Sequence, residues 1–285
     1  MNYKLSGFSD EIAENVTEQF KVLNKLGIGY FEPRGIDGKN ISKLTVDEAH
    51  SLKKQMDEYG ICVSSIGSPI GKINLKADFD EHFEMYKHVI ETAGILGTRN
   101  IRIFSFYHDD GEWTSAERDE VLLRLSKMID YAKSADIMLL HENEKNIYGD
   151  TAARCVDLME NLSCENFRAV FDPANFVQCG EDTQAAYDVM KNYIEYMHIK
   201  DAYKADGKVV PAGMGDGNVK AILKNLFASG YCGFLSLEPH LGDFAGLGGL
   251  EKGDIMKDLP EGGEGTFTAA YIALMKILED IGKEG

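Results

Sequence analysis

Four stretches of this 285-residue chain end an apolar run on a side chain able to hold a metal ion: Leu-Leu-His-Glu142, Val-Phe-Asp172, Met-His198 and Ser-Leu-Glu238. Side chains alternate from face to face along a strand, so Glu142 shares a face with Leu140, Asp172 with Val170 and Glu238 with Ser236. The three acids can therefore point to one place. Carboxylates gathered at the end of an apolar core repel and raise one another's pKa unless a cation lies between them. One imidazole with three carboxylates is a mostly hard donor set, suited to Mn²⁺, Mg²⁺ or Co²⁺, with Zn²⁺ or Fe²⁺ also compatible. Any one of these acids alone reads more naturally as a solvated loop residue or a helix cap. Four in succession favour one divalent ion.

The elements that would carry these residues alternate along the whole chain, a short β-branched or aromatic run followed by an amphipathic stretch. That is the pattern of parallel strands joined by crossover helices. The strands are expected to end at Gly7-Phe8-Ser9, Tyr30-Phe31-Glu32, Val63-Ser64-Ser65-Ile66, Ile101-Arg102-Ile103-Phe104, Met138 to Glu142, Ala169-Val170-Phe171-Asp172, Tyr196-Met197-His198 and Phe234 to Glu238. Val16, Phe20, Leu23 and Leu26 step at helical spacing, as do Ala49, Leu52, Met56 and Tyr59, and Phe83, Tyr86, Ile90 and Ala93. Gly27, Gly60 and Gly97 stand where a left-handed residue would close each of these helices. Eight such units imply an α/β fold, a (β/α)8 TIM barrel in a single domain over residues 1–285, with an open doubly wound sheet as the competitor. Metal-capable residues on strands five to eight then sit at the C-terminal ends, where this architecture places its chemistry. Residues 241–265 are glycine-rich and aperiodic, and read equally as a lid loop or as a surface excursion or oligomer contact. The final helix is expected over Thr266 to Ile281. Gly213-Met-Gly-Asp-Gly217 has the composition of a phosphate cradle but follows no strand directly, and reads as a turn before a helix at Val219.

Composition narrows the function classes. Hydrophobic residues at 44% and charged ones at 27% describe an ordinary globular protein. A formal charge of -17 with no basic cluster argues against nucleic acid as a partner. No run approaches the roughly 18 to 20 apolar residues of a spanning helix, and the opening MNYKLSGFSDE lacks the apolar stretch of a signal peptide, so no membrane partner and a cytoplasmic location are expected. Five scattered cysteines, Cys62, Cys155, Cys164, Cys179 and Cys232, form no CxxC pair and suggest free thiols.

Read in order, Gly-Phe-Ser-Asp-Glu at 7–11, Phe-Glu-Pro-Arg at 31–34, Ser-Pro-Ile-Gly-Lys at 68–72, His-Glu-Asn-Glu at 141–144, Phe-Asp-Pro-Ala-Asn at 171–175, His-Ile-Lys-Asp at 198–201 and Leu-Glu-Pro-His at 237–240 resemble the xylose isomerase-like TIM barrel superfamily, the sugar phosphate isomerase/epimerase group. The resemblance covers nearly the whole chain. It implies that Glu142, Asp172, His198 and Glu238 are the metal ligands, the set the strand-end argument selects. Many relatives carry histidine three residues after the strand-six aspartate, where this chain has Asn175.

The chemistry expected is isomerisation or epimerisation of a sugar or related hydroxy ketone, by removal of a proton α to the carbonyl and stabilisation of the enediolate by the metal. By resemblance to the epimerases, Glu142 and Glu238 would also be the catalytic acid/base pair. Glu32, Arg34, Lys72, Lys145, Lys200 and His240 sit at or just beyond strand ends as candidates to orient substrate, with Lys200 and Glu32 first. The competing reading of Lys200 is a salt bridge to a nearby carboxylate, and that of Arg34 and Lys72 a surface charge. His108 and His141 are set aside, since His141 alternates away from Glu142. Phe8, Phe104, Phe106, Tyr107 and Trp113 are candidates for an apolar wall against a sugar's carbon face. A dehydratase of an inosose-like keto-polyol needs the same proton removal and the same metal, and is the closest rival. Phosphodiester hydrolysis, known on this barrel in DNA repair endonucleases, calls for more histidines than these strand ends provide. Non-catalytic sugar binding is the remaining alternative. The partner expected is a small sugar or polyol, with self-association into a homo-oligomer left open.

Overall fold

The computed structural model describes residues 2–109, 112–241 and 259–284. Its first strand, Lys4–Gly7, and its eighth, Phe234–Leu237, pair in parallel register, Lys4 opposite Phe234 and Gly7 opposite Leu237. The ladder continues through the seventh strand Ile194–Ile199, the sixth Phe167–Phe171, the fifth Met138–Glu142 and the fourth Asn100–Ile103, every pair parallel. The third barrel position is split. Cys62–Val63 pairs with the second strand Tyr30–Phe31, while Ile66–Gly67 pairs with the fourth, so the expected single run at Val63–Ile66 is interrupted at Ser64-Ser65. Ser64 explains the interruption: its hydroxyl binds Ser6 Oγ at 2.5 Å and Tyr196 Oη at 2.8 Å inside the barrel. Closure between strands two and one rests on the Glu32 N–H donated to the Gly7 carbonyl at 2.9 Å. Together these strands make one (β/α)8 TIM barrel in a single domain.

The helices follow the expected periodicities. Phe20 and Leu23 of Val16–Lys25, Leu52 and Met56 of Val46–Tyr59, and Tyr86 and Ala93 of Phe79–Leu96 are buried against the sheet. Removing each large apolar side chain from water contributes about 1.5–3 kcal/mol. Thr45 caps the second of these helices in a reciprocal capping box with Glu48. Gly27, Gly60 and Gly97 all carry positive φ, +71°, +66° and +80°, as their positions after the helices require. Leu140, Val170 and Tyr196 form a buried cluster inside the barrel, so the interior is packed.

The final helix, Gly263–Glu284, starts three residues before the expected Thr266. Both extra glycines are required by close approach: a Cβ at Gly263 would overlap the Glu11 carbonyl and one at Gly265 the Pro260 carbonyl. Most of the glycine-rich stretch read as a lid loop, residues 242–258, lies outside the described residues. No helix among the described residues is long and apolar enough to cross a membrane.

Candidate metal centre

Each of the four predicted ligands is delivered by the end of its strand. Glu142 closes the fifth strand and His198 lies within the seventh. Asp172 follows the sixth and caps the helix Pro173–Gln178, accepting the Asn175 N–H at 2.9 Å. Glu238 follows the eighth, its N–H donated to the Ile199 carbonyl at 3.3 Å. All four are buried, and one ligand atom from each lies within 4.8 Å of the others. His198 Nδ1 is the hub, 3.1 Å from Glu142 Oε1, 3.3 Å from Glu238 Oε2 and 3.8 Å from Asp172 Oδ2.

Two cations stand among these acids. Arg102 Nη1 donates to Glu142 Oε2 at 2.9 Å and Nη2 to the Ser68 carbonyl at 3.2 Å. Lys200 Nζ lies 2.9 Å from Asp172 Oδ2 and 3.0 Å from Glu238 Oε2, and is 4% exposed. The salt-bridge reading of Lys200 is therefore the geometry observed. Burial opposes ionisation of Glu142, but His198 and Arg102 outweigh it and hold the carboxyl below its usual range. Lys200 and His198 do the same for Glu238. Burial alone would lower the His198 pKa, yet Glu142 and Glu32 raise it well above the usual imidazole value.

These residues fit a divalent cation. The buried carboxylates of Glu32, Glu142, Asp172 and Glu238 face the two buried cations Arg102 and Lys200, while Arg34, 3.5 Å from Glu238, is matched by its own partner Asp10, which leaves two negative charges when His198 is neutral. One dication would cancel them, and a dication with neutral imidazole is the state in which Nδ1 can ligate. Asp172 Oδ2 supports the same view: it is buried with no hydrogen-bond donor aligned to it, although the Lys200 ammonium is near.

The other predicted residues take three positions. Arg34, Lys72 and His240 stand on the rim. Arg34 forks onto Asp10, Nε to Oδ2 at 2.8 Å and Nη2 to Oδ1 at 3.1 Å, with Nη1 3.5 Å from Glu238 Oε1. His240 Nε2 lies 3.2 Å from Arg34 Nη1 and 3.6 Å from Glu238 Oε1. Its backbone is left-handed, φ +45°, held by its N–H donated to Glu11 Oε2 at 2.6 Å. Lys72 pairs with Glu144 at 3.1 Å and covers the Phe104 ring at 4.2 Å. Lys145 turns outward to Gln178 at 3.4 Å. Glu32 belongs elsewhere. It is fully buried beneath His198 and bonded by Tyr196 and Ser236.

Of the aromatic wall, Phe8 and Phe104 adjoin the site: Phe8 meets the His198 ring edge-on at 5.2 Å, and both rings lie under the Arg102 guanidinium. Trp113 stacks instead with His108 and Tyr148, and Phe106 packs on Phe79. His141 points away as expected, to Ser105 Oγ at 3.0 Å. Residues 213–217 do form a cradle, but its occupant is the chain's own Asp201, which accepts the N–H groups of Gly213, Gly215 and Gly217 at 2.9, 3.1 and 2.8 Å.

Arg102, Asn175 and Glu11 were not assigned roles by the sequence reading. Arg102 had a visible signal, a lone charge in the apolar run Ile-Arg-Ile-Phe. Asn175 Nδ2 donates to Glu142 Oε1 at 3.1 Å, so this position serves the fifth-strand glutamate. Glu11 Oε1 lies 3.4 Å from both Arg34 Nη2 and His240 Nε2. Burial, helped by Glu238, pushes its carboxyl up to about 7.

A buried metal-capable tetrad at the C-terminal mouth of an eight-stranded barrel defines a class, and comparison with known proteins agrees with it. Residues 20–259 match the xylose isomerase-like TIM barrel family, and the chain belongs to that family. A 3-dehydroshikimate dehydratase of Bacillus anthracis is 22% identical over 134 residues, a match spanning 47% of this chain and about half (48%) of that enzyme. The structure of an L-ribulose 3-epimerase superposes with a TM-score of 0.75 at 20% identity, covering 99% of this chain and 96% of that one. The IOLI protein with a bound zinc atom superposes with a TM-score of 0.75 at 17% identity, covering 98% of this chain and 99% of the other.

Proposed function

We propose that the protein is a divalent-metal-dependent isomerase or epimerase of a sugar or related hydroxy ketone, working by α-proton abstraction through an enediolate. Glu142, Asp172, His198 and Glu238 would hold the ion, with Mn²⁺, Mg²⁺, Co²⁺, Zn²⁺ and Fe²⁺ all compatible with the donors. When bound, the ion would supply positive charge beside the oxygen that becomes anionic as the proton leaves. The observation that carries the reading is the placement of Glu142 and Glu238, two buried carboxylates that face His198 Nδ1 from separate strands at 3.1 and 3.3 Å. They are tethered differently. Glu142 is pinned through both oxygens, to Arg102 and to Asn175, whereas Glu238 Oε1 faces the rim at 3.5 Å from Arg34. Bases entering from separate strands can serve opposite faces of a planar intermediate, as inversion requires. Arg34, Lys72 and His240 would orient substrate hydroxyls from the rim, and Lys200 would keep Asp172 and Glu238 in place.

The test is to load the protein with Mn²⁺, place it in D₂O with ketoses, inososes and their phosphates, and follow deuterium and products by NMR. Deuterium beside the carbonyl with an isomerised or epimerised product is expected. No exchange by metal-loaded protein across the panel would refute the proposal. A product lacking a hydroxyl would move the assignment to a dehydratase of a keto-polyol, the reading that similarity to the 3-dehydroshikimate dehydratase favours.

A further inference from the structure

Beneath the tetrad the barrel holds a second carboxylate group that no ligand role explains. Glu32 is fully buried, and its Oε2 accepts the Tyr196 hydroxyl at 2.9 Å and the Ser236 hydroxyl at 2.7 Å. The Tyr196 oxygen is itself held by Ser64 Oγ at 2.8 Å, and Ser64 by Ser6 at 2.5 Å. The network thus ties strands one, two, three, seven and eight to a single carboxylate. That carboxylate faces the far side of the imidazole: His198 Nε2 lies 3.3 Å from Glu32 Oε2, while Nδ1 faces the three other acids. The contact is electrostatic rather than an aligned hydrogen bond, since His198 Nε2 and Glu32 Oε1 are both buried without a hydrogen-bond partner, and Glu32 Oε2 is the negative atom that faces Nε2. The ring is also walled in, with Phe8 edge-on at 5.2 Å and Tyr196 at 5.8 Å.

From this geometry we infer that Glu32 is a positioning residue, which keeps the His198 proton on Nε2 and so presents the Nδ1 lone pair to the metal. The inference rests on the tetrad being a metal site. An imidazole has one donor and one acceptor nitrogen when neutral, and the group beside the non-ligating nitrogen decides which is which. A negative acceptor at Nε2 also makes Nδ1 more basic and fixes the plane of the ring. The uncharged amide of Glu32→Gln can still accept from Tyr196 and Ser236, so the substitution removes the charge and leaves the packing.

Mn²⁺ affinity measured by calorimetry on the whole chain should fall about 10- to 100-fold in Glu32→Gln. Tyr196→Phe, which deletes one tether and keeps the carboxylate, should weaken binding by less. In Zn²⁺-loaded wild type, ¹⁵N NMR of histidine should place the His198 proton on Nε2. Mn²⁺ affinity in Glu32→Gln within twofold of wild type would overturn the inference and leave the metal site standing. Wild type that binds no Mn²⁺ would overturn both. If Glu32→Gln does not fold, the NMR measurement decides alone, and a proton found on Nδ1 refutes the role.

Discussion

At the scale of single residues, the site is a balance of charges at short range. Glu142→Gln and Glu238→Gln each keep the shape and remove a carboxylate proposed as a base. Either should lower α-proton exchange by about 10²- to 10⁴-fold, the usual contribution of a positioned acid or base, with the circular dichroism spectrum unchanged. A variant exchanging at the wild-type rate would lose its place in the mechanism. Glu11 gives a separate prediction. Its carboxyl is raised by burial to about 7 from an unfolded value of 4.5, so the folded state binds its proton more tightly. The associated stability is complete below about 4.5 and is lost as pH rises toward 7 and beyond. Glu11→Gln should therefore flatten the pH dependence of urea unfolding between pH 4.5 and 7, and an unchanged slope would contradict the raised pKa.

At the scale of elements, strands and loops differ in how much they announced. The tetrad was legible because each ligand ends an apolar strand, and strand parity fixes which way it points. Glu32 was read as a candidate to orient substrate because it too follows a short strand. Its depth depends on how strand two sits against strands one and three, which pattern alone does not carry. The break at Ser64-Ser65 was hidden for a related reason: serine fits a strand locally, and its inward partners Ser6 and Tyr196 are remote in sequence. The loop 213–217 was read as a turn with only the composition of a phosphate cradle, and the anion its N–H groups hold is internal. Asp201→Ala would leave the N–H groups of Gly213, Gly215 and Gly217 without their acceptor, and urea unfolding should show a loss of about 2 kcal/mol or more. Gly215→Ala should also destabilise, because its Cβ would overlap Asp201 and the Ala202 carbonyl.

At the scale of the whole molecule, a ligand that binds only the folded barrel must stabilise it. Mn²⁺ at 100 times its Kd should add about 2.7 kcal/mol, raising Tm by several degrees, and a chelator should reverse the shift. Binding should weaken on acidification, because the His198 proton, held tightly when the ion is absent, must leave before Nδ1 can ligate. A pH-independent affinity from pH 5 to 8 would remove His198 from the ligand set. The barrel's closure between strands one and two bears on the same equilibrium. There, among the described residues, a single backbone bond, from Glu32 to Gly7, stands where other neighbouring strands share ladders. The side chains that lace this seam are those gathered around His198. Local breathing of the barrel should begin along that line, and amide hydrogen exchange of residues 30–32 should slow more than that of the laddered fifth and sixth strands once the ion is in place.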